Sequence, residues 1–118
     1  MAIYEDKKLD LVFHALGDRT RREMVSLLAQ RGVCTAGELG EPFDIAQPTA
    51  SKHLRVLERA GLVKRDVEGR VHRMKLDPLP LQEAQQWIDK HRDFWRGRLD
   101  ALAEFMETLE KRKEPGDG

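Results

Sequence analysis

The stretch 46–62, Ala-Gln-Pro-Thr-Ala-Ser-Lys-His-Leu-Arg-Val-Leu-Glu-Arg-Ala-Gly-Leu, constrains the fold of this chain more than any other. Its spacing predicts one amphipathic helix, with Ala50, Leu54, Leu57 and Gly61 on the side that faces a core. Thr49, Lys52, Val56 and Arg59 fall opposite, with Ser51 and Arg55 on the flank. Pro48 suits a first turn, where a backbone N–H has no partner within the helix. Gly61 suits a left-handed cap after Ala60. Ala46 and Gln47 are both poor N-caps, so the start of the helix is weakly marked. The outward face carries Gln, Thr, Ser, Lys, His and Arg, and no carboxylate before Glu58. Short hydroxyl and amide side chains at a helix N-terminus suit contacts to base edges and phosphates.

Charge distribution supports the same inference. The chain of 118 residues has a formal net charge of zero, but residues 47–76 carry eight Lys/Arg against three Asp/Glu. The segments on either side are acidic on balance, so a local excess of five positive charges sits inside a neutral protein. That asymmetry is the footprint of a polyanion-binding face. The length fits one domain with one modest core, spanning 1–113 and followed by a disordered tail over 114–118. No apolar run has the length of a membrane span, and the N-terminus lacks the pattern of a signal peptide. A single cysteine excludes an intrachain disulfide framework and fits a reducing cytoplasm.

Around this helix the chain reads as mainly α with one β-hairpin. Leu9, Val12, Phe13 and Leu16 give a first helix over 5–16, which Gly17 ends. Asp18 or Thr20 caps a second, from Arg19 to about Arg31, with Met24, Val25 and Leu28 as its apolar stripe. Arg19, Arg21 and Arg22 crowd its first turn against the helix dipole, which marks either function or simple solvation. Thr35 and Glu38 have the spacing of a capping box for a short helix. Residues 40–44 form a turn, from which Ile45 returns to the core. Two β-prone runs, 62–67 and 70–76, flank a Glu68-Gly69 turn. Asp77 caps a last helix over about 79–112, in which Trp95, Leu99, Leu102, Met106 and Leu109 step 4, 3, 4, 3. A helix of about thirty residues spans about 45 Å, more than so small a domain needs, so part of its face should bury against another chain. The order is that of a winged helix-turn-helix, with the recognition helix at about 47–61 and the wing at about 62–76.

Three segments carry a family resemblance. They are Phe13-His-Ala-Leu-Gly-Asp-Arg-Thr-Arg-Arg-Glu-Met24; Gln47-Pro-Thr-Ala-Ser-Lys-His-Leu-Arg-Val-Leu57 with Ala60-Gly-Leu-Val63; and Glu68-Gly-Arg-Val-His-Arg73. Together they resemble the ArsR-type bacterial transcriptional regulators. The segment Trp87…Phe94-Trp-Arg-Gly-Arg-Leu99 is similar to a branch of that family without a metal site. The resemblance implies a repressor that binds double-stranded DNA at a pseudo-palindromic operator as a homodimer. It implies pairing through the first and last helices, which puts Leu9, Phe13, Trp95, Leu99, Leu102, Met106 and Leu109 at the interface. By position it makes Gln47, Thr49, Ser51, Lys52 and His53 groove-facing and assigns Arg70 and His72 to the wing. Ala46 departs from the capping Ser usual in the family, which bears on how the helix starts and not on the fold.

Within that frame Lys52 and Arg55 suit phosphates, while Gln47, Thr49 and Ser51 suit base edges. His53 lies between the outer face and the core, with packing as the alternative to contact. Arg65, Arg70 and Arg73 suit the DNA backbone or a minor groove; solvated hairpin charge is the plain alternative. No cofactor or metal is expected. Asp89 and His91 are half of an interhelical zinc motif whose other half falls on Leu102 and Phe105, and zinc needs about four ligands. Trp87, Phe94, Trp95 and Phe105 suit core or dimer interface more than an effector pocket. No catalytic constellation is present, so an enzyme is not expected. Two other readings stay open. One is a winged-helix protein-interaction module with weak DNA binding, which needs apolar anchors on the outward face, where only Val56 stands. The other is a repressor that senses redox through Cys34. The effector, if any, the operator and the regulated genes are not readable from the chain.

Overall fold

The computed structural model describes residues 2–113, with side chains for 7–112. The tail expected over 114–118 lies outside them. The elements are α1 (Ala2–Leu16), α2 (Arg19–Arg31), β1 (Val33–Thr35), α3 (Ala36–Gly40), α4 (Gln47–Arg59), β2 (Val63–Glu68), β3 (Val71–Leu76) and α5 (Leu79–Lys113). The chain forms two compact units, one ending at Ala84 and the other beginning at Gln85.

In the first unit the element boundaries follow from local chemistry. Asp18 caps α2 by accepting from the Arg21 N–H at 3.1 Å. Thr35 and Glu38 complete the capping box of α3: the Glu38 N–H donates to Thr35 Oγ1 and the Thr35 N–H to Glu38 Oε1. Helix α4 starts without a side-chain cap at Ala46, as its sequence foretells. It ends in a Schellman motif: the Leu62 N–H reaches the Leu57 carbonyl, the Gly61 N–H reaches that of Glu58, and Gly61 takes φ +78°. Asp77 caps α5 by accepting from the Leu79 N–H.

Helices α3 and α4 are the helix-turn-helix pair. A side chain at Gly40 would bring a Cβ to 3.2 Å from that of Ala50, so glycine there permits the close approach. Met24, Leu28, Leu39, Leu57, Leu62 and Met74 are sealed in the core. Val56, the one apolar side chain expected on the outward face of α4, is partly buried against it.

The wing is part of a three-stranded antiparallel sheet in the order β1-β3-β2. The sequence offered no signal for β1, because three residues are too few to alternate. Its strand character comes from β3, with Cys34 opposite Met74. The hairpin turn is Gly69-Arg70, one residue later than Glu68-Gly69, since Glu68 pairs with Val71. Gly69 takes φ +63°, and a two-residue turn of the II′ kind needs a positive φ at its first position.

Among the described residues the second unit is the part of α5 from Gln85 onward. Its large apolar side chains Trp87, Ile88, Phe94, Trp95, Leu99, Leu102, Phe105, Met106 and Leu109 are exposed by 41% to 61%. On an ideal helix these positions share a sector of about 140°. Trp87 stacks on His91 and Arg98 lies over the Phe94 ring. Among the described residues no helix is long and apolar enough to cross a membrane.

Candidate nucleic-acid interface

The core-facing side of α4 fixes what its other side offers. With Ala50, Leu54 and Leu57 buried, Gln47, Thr49, Lys52 and Arg55 are exposed, and Ser51 is half-buried. Ser51 and Gln47 border a crevice of about 320 Å³ between α3 and α4. Among the described residues Lys52, Arg55 and Arg59 take part in no ion pair, so their charge is uncompensated. At the wing tip Arg70 is likewise exposed and outside any such pair.

His53 belongs to a different group of contacts. Its side chain is only 17% exposed, and its Nδ1 lies 3.2 Å from Arg21 Nη1 and 3.8 Å from Asp18 Oδ2. Arginine has donors and no acceptor, so Nδ1 accepts, and the ring is neutral with its proton on Nε2. Arg21 also donates through Nε to the Ala15 carbonyl at 2.7 Å and through Nη2 to that of His14 at 3.0 Å. Arg22 donates to the Leu16 carbonyl at 2.7 Å. These two arginines therefore serve the end of α1, Arg21 half-buried and Arg22 exposed. They satisfy the last carbonyls of α1, where a cation also suits the helix dipole. Arg19 pairs with Glu23 along the helix surface. The Arg21 N–H, and after it the nearby Arg21 guanidinium, hold the Asp18 carboxyl below the usual carboxylate range.

The wing cations divide as well. Arg65 lies on the same face of the sheet as the buried Val63 and Met74 and meets Glu58, from the last turn of α4, in a two-pronged ion pair of 3.0 and 2.6 Å. Both side chains are 27% exposed. Hydrogen bonding to Glu58 raises the Arg65 pKa further above its already high value. The third bond of Arg65, from Nη1, reaches His72 Nδ1 at 2.8 Å, so this imidazole too is neutral and protonated on Nε2. Arg73 pairs with Glu68 and Lys64 with Asp77. Sequence reasoning missed the role of Glu58. The available signals were an arginine at an apolar parity position and a lone carboxylate in a cationic stretch.

Of the side chains expected at a dimer interface, Trp95, Leu99, Leu102, Met106 and Leu109 are exposed on α5, and Phe13 is exposed on α1. Leu9 instead packs partly against the core of its own unit. Leu11, off the apolar stripe and so missed, is also exposed on α1. Cys34 is 1% exposed, within the core. Its burial takes away the access a redox-sensing thiol needs. Asp89 pairs with Arg92, and His91 donates from Nδ1 to the Trp87 carbonyl. With Leu102 and Phe105 opposite in the motif, these donors do not fit a zinc set, and no group of three or more potential ligands occurs among the described residues.

Comparison with known proteins bears on what this face is for. A family profile described as a helix-turn-helix domain matches residues 16–66. The transcriptional repressor SdpR of Bacillus subtilis (strain 168) is 35% identical over 77 residues, 65% of this chain and 84% of SdpR. The crystal structure of the ArsR family transcriptional regulator RHA00566 is similar at a TM-score of 0.73 and 33% identity, over 77% of this chain and 93% of that one. The solution structure of the homodimeric winged helix-turn-helix DNA-binding domain of Mb0332 from Mycobacterium bovis is similar at a TM-score of 0.58 and 25% identity. That match covers 75% of this chain and 84% of the other.

Proposed function

Because this chain belongs to the ArsR family of transcriptional regulators, we propose that it is a cytoplasmic homodimeric repressor that binds a pseudo-palindromic operator through α4 and the wing. The observation that carries this reading is the charge pattern of the site. Lys52 and Arg55 are uncompensated on the exposed face of α4, whereas Arg65, Arg73 and Lys64 of the wing are paired within the chain. In this reading Lys52, Arg55 and Arg70 hold phosphates, and Gln47, Thr49 and Ser51 read base edges. His53 positions α4 against the end of α1. The winged helix-turn-helix and the long helix act as one functional domain over 1–113, and the chain has no catalytic task.

The exposed stripe of α5 supports pairing with a second copy through Trp95, Leu99, Leu102, Met106 and Leu109, and Phe13 is exposed on α1. Such a pair sets two recognition helices about 34 Å apart, one turn of DNA. The interaction-module reading loses its support with the burial of Val56.

The test is an anisotropy titration of the purified protein on DNA from upstream of its own gene and on a scrambled duplex, at two salt concentrations. The expected result is dimer-stoichiometric binding that survives the higher salt on the upstream DNA alone. Lys52→Ala should weaken both duplexes and flatten the salt dependence by about one counterion, a slope change of about 0.9. Equal affinity of Lys52→Ala and wild type for the scrambled duplex would overturn the role given to this face.

A further inference from the structure

Arg65 and His72 were both expected to touch DNA, and in the structure they touch each other. The guanidinium is gripped from one side by both oxygens of Glu58 and donates from the other to His72 Nδ1. Two consequences follow. The positive charge of Arg65 is cancelled at close range by a carboxylate on a neighbouring element, so it attracts a polyanion weakly. The imidazole, in turn, has its acceptor nitrogen occupied, and Nε2–H is its remaining donor on a partly exposed ring.

We propose that Arg65 is a positioning residue and His72 the wing's contact. Glu58 aims Arg65, Arg65 holds the His72 ring, and Nε2–H of His72 donates to a phosphate oxygen of the DNA. The chain Glu58–Arg65–His72 runs from the recognition helix across β2 to β3, so it also ties the wing to the helix that sits beside it. Two features of the geometry carry this. The fork is bidentate, a form that specifies direction as well as charge. It is half-buried, where screening by salt is weaker. This inference rests on the DNA-binding reading above.

The test is a double-mutant cycle on operator affinity, with wild type, Arg65→Gln, His72→Ala and the double variant titrated side by side at several salt concentrations. Arg65→Gln and His72→Ala should each weaken binding about fivefold to tenfold, the loss of one hydrogen bond. Adding Arg65→Gln to His72→Ala should cost nothing more, because Arg65 acts through His72. The salt slope of Arg65→Gln should equal that of wild type. Arg65→Lys, which keeps the charge and loses the fork, should behave like Arg65→Gln. A slope lowered by about 0.9 in Arg65→Gln, or full binding by Arg65→Lys, would make Arg65 a phosphate ligand and overturn the proposal while leaving the DNA reading intact. Additive losses in the cycle would overturn it in the same way. If Arg65→Gln fails to fold, Arg65→Lys and His72→Ala carry the same comparison. No binding by wild type would end both readings together.

Discussion

The two units of this chain handle apolar surface in opposite ways. The first seals Met24, Leu28, Leu39, Leu57, Leu62 and Met74 from solvent and closes the ends of its elements with side chains: Asp18, Thr35, Arg21 and Arg22. The second presents Trp95, Leu99, Leu102, Phe105 and Met106, each more than half exposed, along one side of a helix. A surface of that kind is stable in water when something covers it. The difference separates two sources of stability. One is internal to the chain, and the other, in the proposed dimer, depends on a second copy and therefore on concentration.

The sharpest way to break that comparison is to truncate one leucine from each unit. Leu57→Ala should cost about 2–5 kcal/mol of unfolding free energy, the same at every protein concentration. Leu102→Ala should leave the unfolding of a dilute monomer unchanged and lower the thermal midpoint only where wild type is dimeric. Urea and thermal unfolding at two well-separated concentrations would read both. A Leu102→Ala variant as damaged as Leu57→Ala, without concentration dependence, would mean that the stripe is covered within the chain.

A smaller effect sharpens the same contrast through arginines. Arg21→Ala in the first unit removes donors from two helix-terminal carbonyls and from His53, and should cost about 1–2 kcal/mol. Arg98→Ala in the second removes a guanidinium 4.8 Å from the exposed Phe94 ring and should cost about 0.5 kcal/mol. Denaturant midpoints rank the two; equal costs would mean that Arg21 is not sealing the end of α1.

The smallest effect is one of pH. Asp18 and Glu38 are caps of the first unit, and the backbone N–H groups they accept from, of Arg21 and Thr35 respectively, hold both carboxyls below their ordinary values of 3.8 and 4.5. A depressed carboxyl contributes stability that is complete above its unfolded value and is lost as pH falls through the folded one. The thermal midpoint should therefore decline in the acid range below these ordinary values, and modestly, since both groups face solvent. Asp18→Asn with Glu38→Gln keeps capping atoms without a titrating proton and should flatten that decline. An unchanged acid profile in the double variant would assign the loss to other groups.

Much of the first unit was legible in sequence because its signals are local. The capping box at Thr35, the left-handed Gly61, the stripe of Ala50, Leu54 and Leu57, and the cap at Asp77 each depend on residues a few positions apart. The Ser-x-His-Leu…Ala-Gly-Leu-Val pattern added the family. What was illegible depended on partners distant in sequence. Cys34 is a strand residue only because Met74 lies across from it. Arg21 and Arg22 broke the dipole rule for their own helix because they serve the end of the helix before it. Arg65 looked like a free basic residue of a hairpin until Glu58 was found against it. Leu9, expected at the interface, packs partly against the core, while Leu11 is exposed, because the register of α1 on the core is set by the helices beneath it.

The sequence by itself determined the order of the helices and the hairpin, the caps, the cationic middle third and the seam on the last helix, all of which follow from short-range spacing and composition. Only the tertiary structure decided which cations are available to a polyanion. A charge is free or cancelled according to what folds beside it, and for Lys52 and Arg65, thirteen residues apart in a single basic stretch, the outcomes are opposite.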